Sequence, residues 1–205
     1  MCFHSKQSKD AQALENRFKA KIVGNEPSLF TNEHYNAFTY PNTPVIVNTN
    51  AQEIQLFQWG LIPQWAKDRS IQSYTLNAKI ETLAEKPSYK NNINKRCLIL
   101  ADGFIEWQWL DPKGKKKQPY LITIPNNELF AFAGIWSEWV DTQTGEIVKT
   151  YSMVTTHANS LMTEIHNTKK RMPIILTPAN EMAWLNGANY IDFASCDIEL
   201  VAKEI

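Results

Sequence analysis

Paired cysteines and net charge are both missing from this chain of 205 residues. Its three cysteines, Cys2, Cys97 and Cys196, lie far apart and form no Cys-x-x-Cys pair. This pattern disfavours a disulfide framework and a zinc ribbon, so we expect no bound metal and a reducing, cytoplasmic location. Lysine plus arginine and aspartate plus glutamate each total 21, which makes the formal charge zero. Any contact with nucleic acid must therefore depend on local charge.

Long apolar runs and internal repeats are missing as well. No stretch approaches the roughly 18 to 20 apolar residues that span a bilayer, so we expect no membrane partner. No basic segment followed by an apolar run opens the chain, and we expect no targeting signal. No period of about 20 to 50 residues repeats. The length suits one ordinary domain, which we predict over residues 1–205.

Short apolar or alternating segments predict β-strands through the middle of the sequence. They lie at residues 44–47, 54–59, 97–101 and 104–109, with further strands at 174–176 and 198–202. Turn sequences predict two hairpins, joining 104–110 to 120–124 and 129–140 to 146–156. Apolar spacings of three and four predict helices at 8–21, 159–166 and 178–185. The predicted fold class is α+β, with a mostly antiparallel, curved or barrel-like sheet and a few flanking helices.

Cys2 is the most informative single residue. Methionine aminopeptidases generally remove Met1 when a small residue follows, and we expect this to leave an exposed N-terminal cysteine with a free amine. The reference pKa is about 7.7 to 8.0 for the amine and about 8.5 for the thiol, so both are usable nucleophiles. The amine can condense with an aldehyde to an imine, and the thiol can then close a thiazolidine ring. Cysteine also stands second in many chains by chance, so this position alone leaves its role open.

Five blocks occur further along the chain in the order and approximate spacing of one known family. They are YNA at 35–37 with Pro41 and Pro44-Val45, QWGLIPQW at 58–65, LNAKIET at 76–82, RCLILADGFIEW at 96–107, and IH at 165–166 followed after a short insert by RMPIIL at 171–176. With these blocks and Cys2, the chain resembles the SRAP family, named for SOS response-associated peptidases, over nearly its whole length.

The resemblance implies an abasic-site sensor of the DNA damage response that cross-links covalently to single-stranded DNA. Cys2 would attack the ring-opened aldehyde of the abasic site, with Asn77, Glu106 and His166 completing the active site and no cofactor. AP lyase and autoproteolytic peptidase activities are implied too. The expected DNA-contacting residues are His4, Asn36, Trp65, Lys79, Trp107 and Arg171. The expected partner is single-stranded DNA with abasic sites, bound by a cytoplasmic monomer that is nucleoid-associated when on DNA.

Each implied catalytic role has an ordinary structural alternative. Strand alternation places Glu106 on the face opposite Trp107, in an aromatic-rich region where partial desolvation would raise its pKa and suit proton transfer; the alternative is a solvated strand carboxylate. His166 can exchange a proton at neutral pH, or it can simply end the helix at 159–166. Asn77 can hold the Cys2 amine or the sugar hydroxyls, or it can be the N-cap of a helix over 78–84.

The chain departs from the family pattern at three places. Phe3 and His4 replace a glycine and an arginine, so the expected phosphate contact becomes titratable and weaker. Lys79 replaces an arginine, which exchanges a bidentate fork for a point charge. The insert at 167–170 lengthens the loop after His166 and puts the position of the imidazole in question.

Two competing functions fit the same residues. One is a thiol peptidase, or autopeptidase, in which Cys2 is activated by His166 and Glu106. It needs a thiolate and no free amine, whereas the aldehyde trap requires the amine. The other is a DNA-binding module without covalent chemistry, whose DNA affinity would not depend on Cys2.

Overall fold

The computed structural model describes residues 2–24, 30–195 and 198–205. Met1 and Cys196 lie outside this described part. Its residues form fourteen β-strands and three α-helices, in agreement with the predicted α+β class. The strands are β1 (His4–Gln7), β2 (Lys21–Ile22), β3 (Asn32–Asn36), β4 (Asn42–Val47), β5 (Asn50–Trp59), β6 (Asn77–Lys79), β7 (Arg96–Ala101), β8 (Gly103–Trp109), β9 (Lys117–Thr123), β10 (Phe130–Val140), β11 (Ile147–His157), β12 (Arg171–Pro173), β13 (Ile175–Leu176) and β14 (Val201–Glu204). The helices are α1 (Ala11–Phe18), α2 (Ser160–Ile165) and α3 (Pro178–Leu185). Within the described ranges, no helix is long and apolar enough to cross a membrane.

A closed ring of five strands forms the centre of the fold. β4 pairs with β5 and β7, β7 pairs with β10, and β10 pairs with β11, all antiparallel. A short parallel contact between β11 and β5 closes the ring. Where β10 passes β7, a Cβ on Gly134 would lie 2.6 Å from the Cys97 sulfur, so only glycine permits this approach of the two strands. The predicted barrel-like, mostly antiparallel sheet is confirmed.

A second, five-stranded sheet carries the start of the chain. Its strand order is β14-β9-β8-β1-β3, so β1 lies between β8 and β3. The buried carboxylate of Asp102 fastens β1 to the turn between β7 and β8. It accepts hydrogen bonds from the Ser8 amide at 3.1 Å, the Ser8 hydroxyl at 2.6 Å and the Lys6 ammonium at 3.0 Å. These bonds fix the strand that immediately follows Cys2.

The predicted elements are mostly present, with shifted ends and one clear error. Both hairpins pair as predicted, β8 with β9 and β10 with β11. The first helix is shorter than predicted because it starts at its Asp10 cap and ends at Lys19, which has a left-handed backbone. The helix considered over 78–84 is wrong: β6 is followed by a single 3₁₀ turn, Ile80–Thr82. Parallel pairing of β6 with β11 satisfies the backbone there and overrides the local helical pattern.

Candidate active site

Cys2 lies at the centre of the candidate site, and it is buried rather than exposed. Its exposed fraction is 0%, so the predicted exposure of this side chain is wrong. The side chain belongs to an apolar cluster that also contains Trp59, Phe104 and Met162. Its thiol donates a long hydrogen bond of 3.5 Å to the carbonyl of His4. Burial raises the pKa of the thiol and the negative charge of Glu106 raises it further, so the sulfur is protonated at neutral pH.

Asn77 holds the backbone of Cys2 in place. Its Nδ2 donates to the Cys2 carbonyl at 2.8 Å. Asn77 is itself fixed from two sides, because the indole N–H of Trp59 bonds to the preceding carbonyl and the Tyr89 hydroxyl bonds to the Asn77 carbonyl at 3.1 Å. Its Oδ1 is buried and has no hydrogen-bond partner among the described residues. Asn77 therefore leaves one buried acceptor open next to Cys2.

Glu106 supplies a buried carboxyl group on β8. The predicted alternation is confirmed, since Phe104 and Glu106 are buried while Ile105 and Trp107 are partly exposed. In the described part of the chain, Oε1 of Glu106 finds no partner. Burial raises the pKa of this carboxyl to about 7, so both of its protonation states are populated at neutral pH. The alternative of a solvated strand carboxylate is wrong.

His166 follows α2 and is held by the backbone of Arg171. The imidazole Nδ1 lies 2.7 Å from the Arg171 carbonyl and 3.2 Å from its amide nitrogen. The contact to the carbonyl needs a proton on Nδ1, whereas the contact to the amide needs a lone pair there. The carbonyl contact is the shorter one, which favours the proton on Nδ1 and the lone pair on Nε2. Burial lowers the pKa of this histidine, and the charges of Arg171 and Lys169 lower it further. His166 thus ends the helix as a neutral base rather than as a cationic cap.

The insert after His166 folds back instead of displacing the imidazole. The amide of Lys170 donates to the His166 carbonyl at 2.9 Å, which closes a tight turn. The side chain of Asn167 bonds to both backbone groups of Trp109, accepting at 3.2 Å and donating at 2.9 Å. A further bond of 3.1 Å joins Gln108 to the carbonyl of Glu164. The insert and α2 are thereby fastened to β8, the strand that carries Glu106.

Three predicted DNA-contacting residues form one surface beside Cys2. His4 and Asn36 lie opposite each other on β1 and β3. The rings of His4 and Trp107 pack in a T-shaped arrangement, with 4.5 Å between their centroids. The Asn36 side chain accepts a bond of 3.1 Å from the amide of Phe38 and so shapes the following turn.

Two other predicted contacts, Lys79 and Trp65, flank a separate cleft on the Asn77 side of the site. A cavity of about 460 Å³ is lined by Asn77, Lys79, Lys86 and Tyr74 among others. Tyr74, whose side chain is 85% exposed, also lines the neighbouring cleft beside Trp65, which is 54% exposed. The two adjoining clefts therefore combine lysine side chains with exposed aromatic rings and extend outward from Asn77.

Arg171 differs from its predicted role. It is buried, and its guanidinium bonds to both carboxylate oxygens of Glu81 at 2.6 and 2.9 Å. It also donates to the carbonyl of Thr155 at 2.7 Å. A phosphate would have to displace these partners, which argues against the predicted DNA contact, and the backbone of Arg171 contacts the His166 ring.

Two residues near Cys2 escaped the sequence analysis. The Nε2 atom of His34 lies 2.6 Å from Nδ1 of His4. The ring of Phe38 is 57% exposed and packs 4.8 Å from that of Phe3. Both residues adjoin the block at 35–37, and this adjacency was the only available signal.

Comparisons with known proteins find one matching family model and several similar proteins. The family model for SOS response associated peptidase (SRAP) matches residues 1–197. Abasic site processing protein YoqW of Bacillus subtilis (strain 168) is 44% identical over 157 residues, which cover 76% of this chain and 67% of that protein. Abasic site processing protein HMCES of Gallus gallus is 36% identical over 142 residues, covering 58% of this chain and only 40% of that protein. A crystal structure of a protein from Bacteroides thetaiotaomicron superposes with a TM-score of 0.90 at 37% identity, covering 100% of this chain and 92% of that one.

Proposed function

Because this chain belongs to the SRAP family, we propose that it senses abasic sites in single-stranded DNA and cross-links to them through Cys2. The names of its relatives support a role in abasic-site processing. One observation carries the chemical part of the proposal: Asn77 holds the Cys2 backbone at 2.8 Å beside a buried carboxyl, Glu106, whose pKa is about 7. A fixed first residue next to a group that exchanges protons at neutral pH suits condensation with an aldehyde.

The reaction begins with ring opening at the abasic sugar. The neutral His166 accepts the proton of the anomeric hydroxyl through Nε2 and returns it to the ring oxygen as the ring bond breaks, which exposes the aldehyde. Once Met1 has been removed, the Cys2 amine adds to the aldehyde carbon and one water leaves, giving an imine. In this first stage the nucleophile is the amine, and the thiol does not react.

Ring closure is the second stage and uses the thiol. The Cys2 sulfur adds to the imine carbon, Glu106 takes the thiol proton, and the same proton passes to the imine nitrogen. The product is a thiazolidine, and one water is the only leaving group of the whole reaction. Because burial keeps the thiol protonated, a base close to the sulfur is required, and the charge of Glu106 already acts on it.

Burial of the thiol also favours this reaction over the peptidase alternative. A thiol peptidase needs a thiolate at the start of catalysis, and the raised pKa of Cys2 opposes its formation. In the cross-linking reaction the thiol acts only after the sugar is attached to the amine. AP lyase or autoproteolytic activity would use the same residues as secondary reactions.

Single-stranded DNA is the proposed substrate because the site is flanked by exposed aromatic rings. Phe38 lies on one side of Cys2, and Trp65 and Tyr74 lie on the Asn77 side. Aromatic side chains stack on unpaired bases, which a duplex keeps inside its own stack. Lys79 and Lys86 supply local cations for the phosphates. One lesion on one strand needs no symmetric partner, so we propose a monomer.

Intact-mass analysis tests the proposal directly. The protein is mixed with a single-stranded oligonucleotide carrying one abasic site, and in parallel with the same oligonucleotide carrying a tetrahydrofuran site, which has no aldehyde. We expect one product whose mass is that of the Met1-free protein plus the DNA less one water, formed only with the true abasic site. Absence of this product, or equal product with the tetrahydrofuran site, contradicts the proposal.

Lys79 and Arg171 form a matched pair of cations with opposite expected roles. Lys79→Ala should weaken binding to an unmodified single-stranded oligonucleotide severalfold, with no change in thermal midpoint. The salt slope, which is the change of log affinity with log salt concentration, should fall by the amount expected for about one phosphate contact. Arg171→Ala should lower the free energy of unfolding by about 2 kcal/mol, because it removes a buried guanidinium that bonds to the Glu81 carboxylate and to the Thr155 carbonyl. Fluorescence anisotropy across salt concentrations and thermal unfolding measure the two effects. A fully stable Arg171→Ala with a reduced salt slope would reverse the assignment.

A further inference from the structure

His4 and His34 are in direct contact on the surface next to Cys2. Nδ1 of His4 lies 2.6 Å from Nε2 of His34, and the rings lie edge to edge with 4.8 Å between centroids and 30° between planes. His34 is exposed, and His4 is partly covered where it packs on Trp107. A nitrogen–nitrogen distance this short requires one shared hydrogen between the rings.

The number of protons on the four ring nitrogens determines the charge of the histidine pair. With two protons in total, one lies between the rings and one sits on an outer nitrogen, so the pair is neutral. A third proton occupies the other outer nitrogen and gives one positive charge with two outward N–H donors, while the central bond stays intact. A fourth would place two N–H groups against each other at 2.6 Å and break the contact. The intact pair therefore carries at most one charge.

The charged groups near the pair are paired with one another, so none of them favours a third proton in the free protein. A bound anion would favour it. On β1 and β3 the charged neighbours are Lys6 and Glu33, which pair with each other at 3.5 Å, and Lys6 also binds Asp102 at 3.0 Å. On β8, Glu106 lies on the opposite, buried face. Burial, and then the neighbouring His34, lower the pKa of His4 to about 4, so His4 by itself is uncharged in the free protein at neutral pH.

The position of the pair indicates which anion it meets. The backbone carbonyl of His4 accepts the hydrogen bond from the Cys2 thiol at 3.5 Å. The histidine pair therefore lies next to the reacting sulfur. A sugar attached to Cys2 has a phosphodiester on each side. Resting on the proposed function, we propose that His4 and His34 act as one phosphate-binding unit that takes up a proton when the DNA strand binds.

The unit makes DNA affinity depend on pH in a defined direction. A bound phosphate stabilises the charged form of the pair, so the complex holds one more proton than the free protein does. By linkage, affinity rises as pH falls, by up to about tenfold per pH unit where the full proton is taken up. We expect binding at pH 6 to be at least about fivefold tighter than at pH 8.

The test uses an unmodified single-stranded oligonucleotide, so that no cross-link contributes. Its dissociation constant is measured at pH 6, 7 and 8 at fixed ionic strength for the native protein, His34→Gln and the control His157→Gln, which changes an exposed histidine on another strand. The pH dependence should shrink in His34→Gln to the part that Glu106 and the N-terminal amine contribute, and it should persist in full in His157→Gln. A double variant, His4→Arg with His34→Gln, should show only the same residual pH dependence and bind more tightly than His34→Gln at pH 8, because its charge is permanent.

Several outcomes overturn the proposal. They are equal pH dependence in the native protein and His34→Gln, loss of the dependence in His157→Gln, or no measurable binding by the native protein at pH 6. The covalent adduct with abasic-site DNA, measured on the same preparations, separates this failure from that of the proposed function. If the adduct forms but the native protein and His34→Gln show the same pH dependence, only the proposal for the histidine pair is contradicted. If the native protein forms no adduct, the proposed function on which that proposal rests is contradicted.

Discussion

Cys2→Ala is expected to abolish the stable adduct with abasic-site DNA, a loss of at least about 100-fold in yield. The variant keeps an N-terminal amine once Met1 is removed, so the imine still forms, but it hydrolyses because no thiol closes the ring. Denaturing gels should show no shifted band under ordinary conditions. Addition of cyanoborohydride should restore a band by reducing the imine to a stable amine, which separates loss of ring closure from loss of DNA binding.

Two controls make this prediction specific. Cys97→Ala removes the other cysteine of the described ranges, which is buried in β7 against Gly134, and it should leave the adduct yield unchanged in folded protein. A residue that cannot be removed, placed ahead of Cys2, should abolish the adduct although the thiol is intact. An adduct that survives this blocked terminus would mean that the sulfur acts without the amine, and the thiol peptidase would become the better explanation.

Glu106→Gln is expected to slow adduct formation by about 100-fold. Below pH 7 the native carboxyl is mostly protonated and cannot accept the thiol proton, so the native rate should rise as pH increases through about 7. Glutamine keeps the shape of the side chain and cannot take up a proton, so this inflection should disappear. Rates of band formation at several pH values between 6 and 8 measure it. The same inflection in the variant would assign the proton transfer to another group.

The same substitution should make the protein more stable at alkaline pH. The pKa of Glu106 is raised on folding from 4.5 to about 7, so the folded state binds more protons and stability falls as pH increases through this range. The loss is fully present above pH 7 and amounts to on the order of 3 kcal/mol. Glu106→Gln should therefore exceed the native thermal midpoint at pH 8. Glu138→Gln, on β10, is a matched control that should change neither rate nor midpoint.

Local sequence predicted those parts of the site that depend on strand periodicity. Alternation along β8 correctly placed Glu106 on the face opposite Trp107, because a strand's side chains change sides at every residue, and the structure shows that this face is buried. The hairpin partners were also predictable, since short turns join them. That residues 1–205 form one domain stays a prediction.

Contacts between distant segments were not predictable in the same way. Asn77 lies in a strand because it pairs in parallel with Met153, which no local pattern near either residue indicates. Arg171 looked like a DNA contact until the structure placed Glu81 against it. His34 gained its significance only when β3 brought it to His4. Charged and polar side chains take their roles from partners that the fold supplies.

The burial of Cys2 also limits when the N-terminus can be processed during synthesis of the protein. Cys2 leaves the ribosome well before Asn77 and well before the end of the barrel strand β11 at His157. At about 5 to 20 residues per second, roughly 10 to 30 seconds separate the two events. Cys2 is fully buried once the barrel has formed, so we expect Met1 to be removed within that interval. We therefore expect no adduct from a chain that folds with Met1 in place.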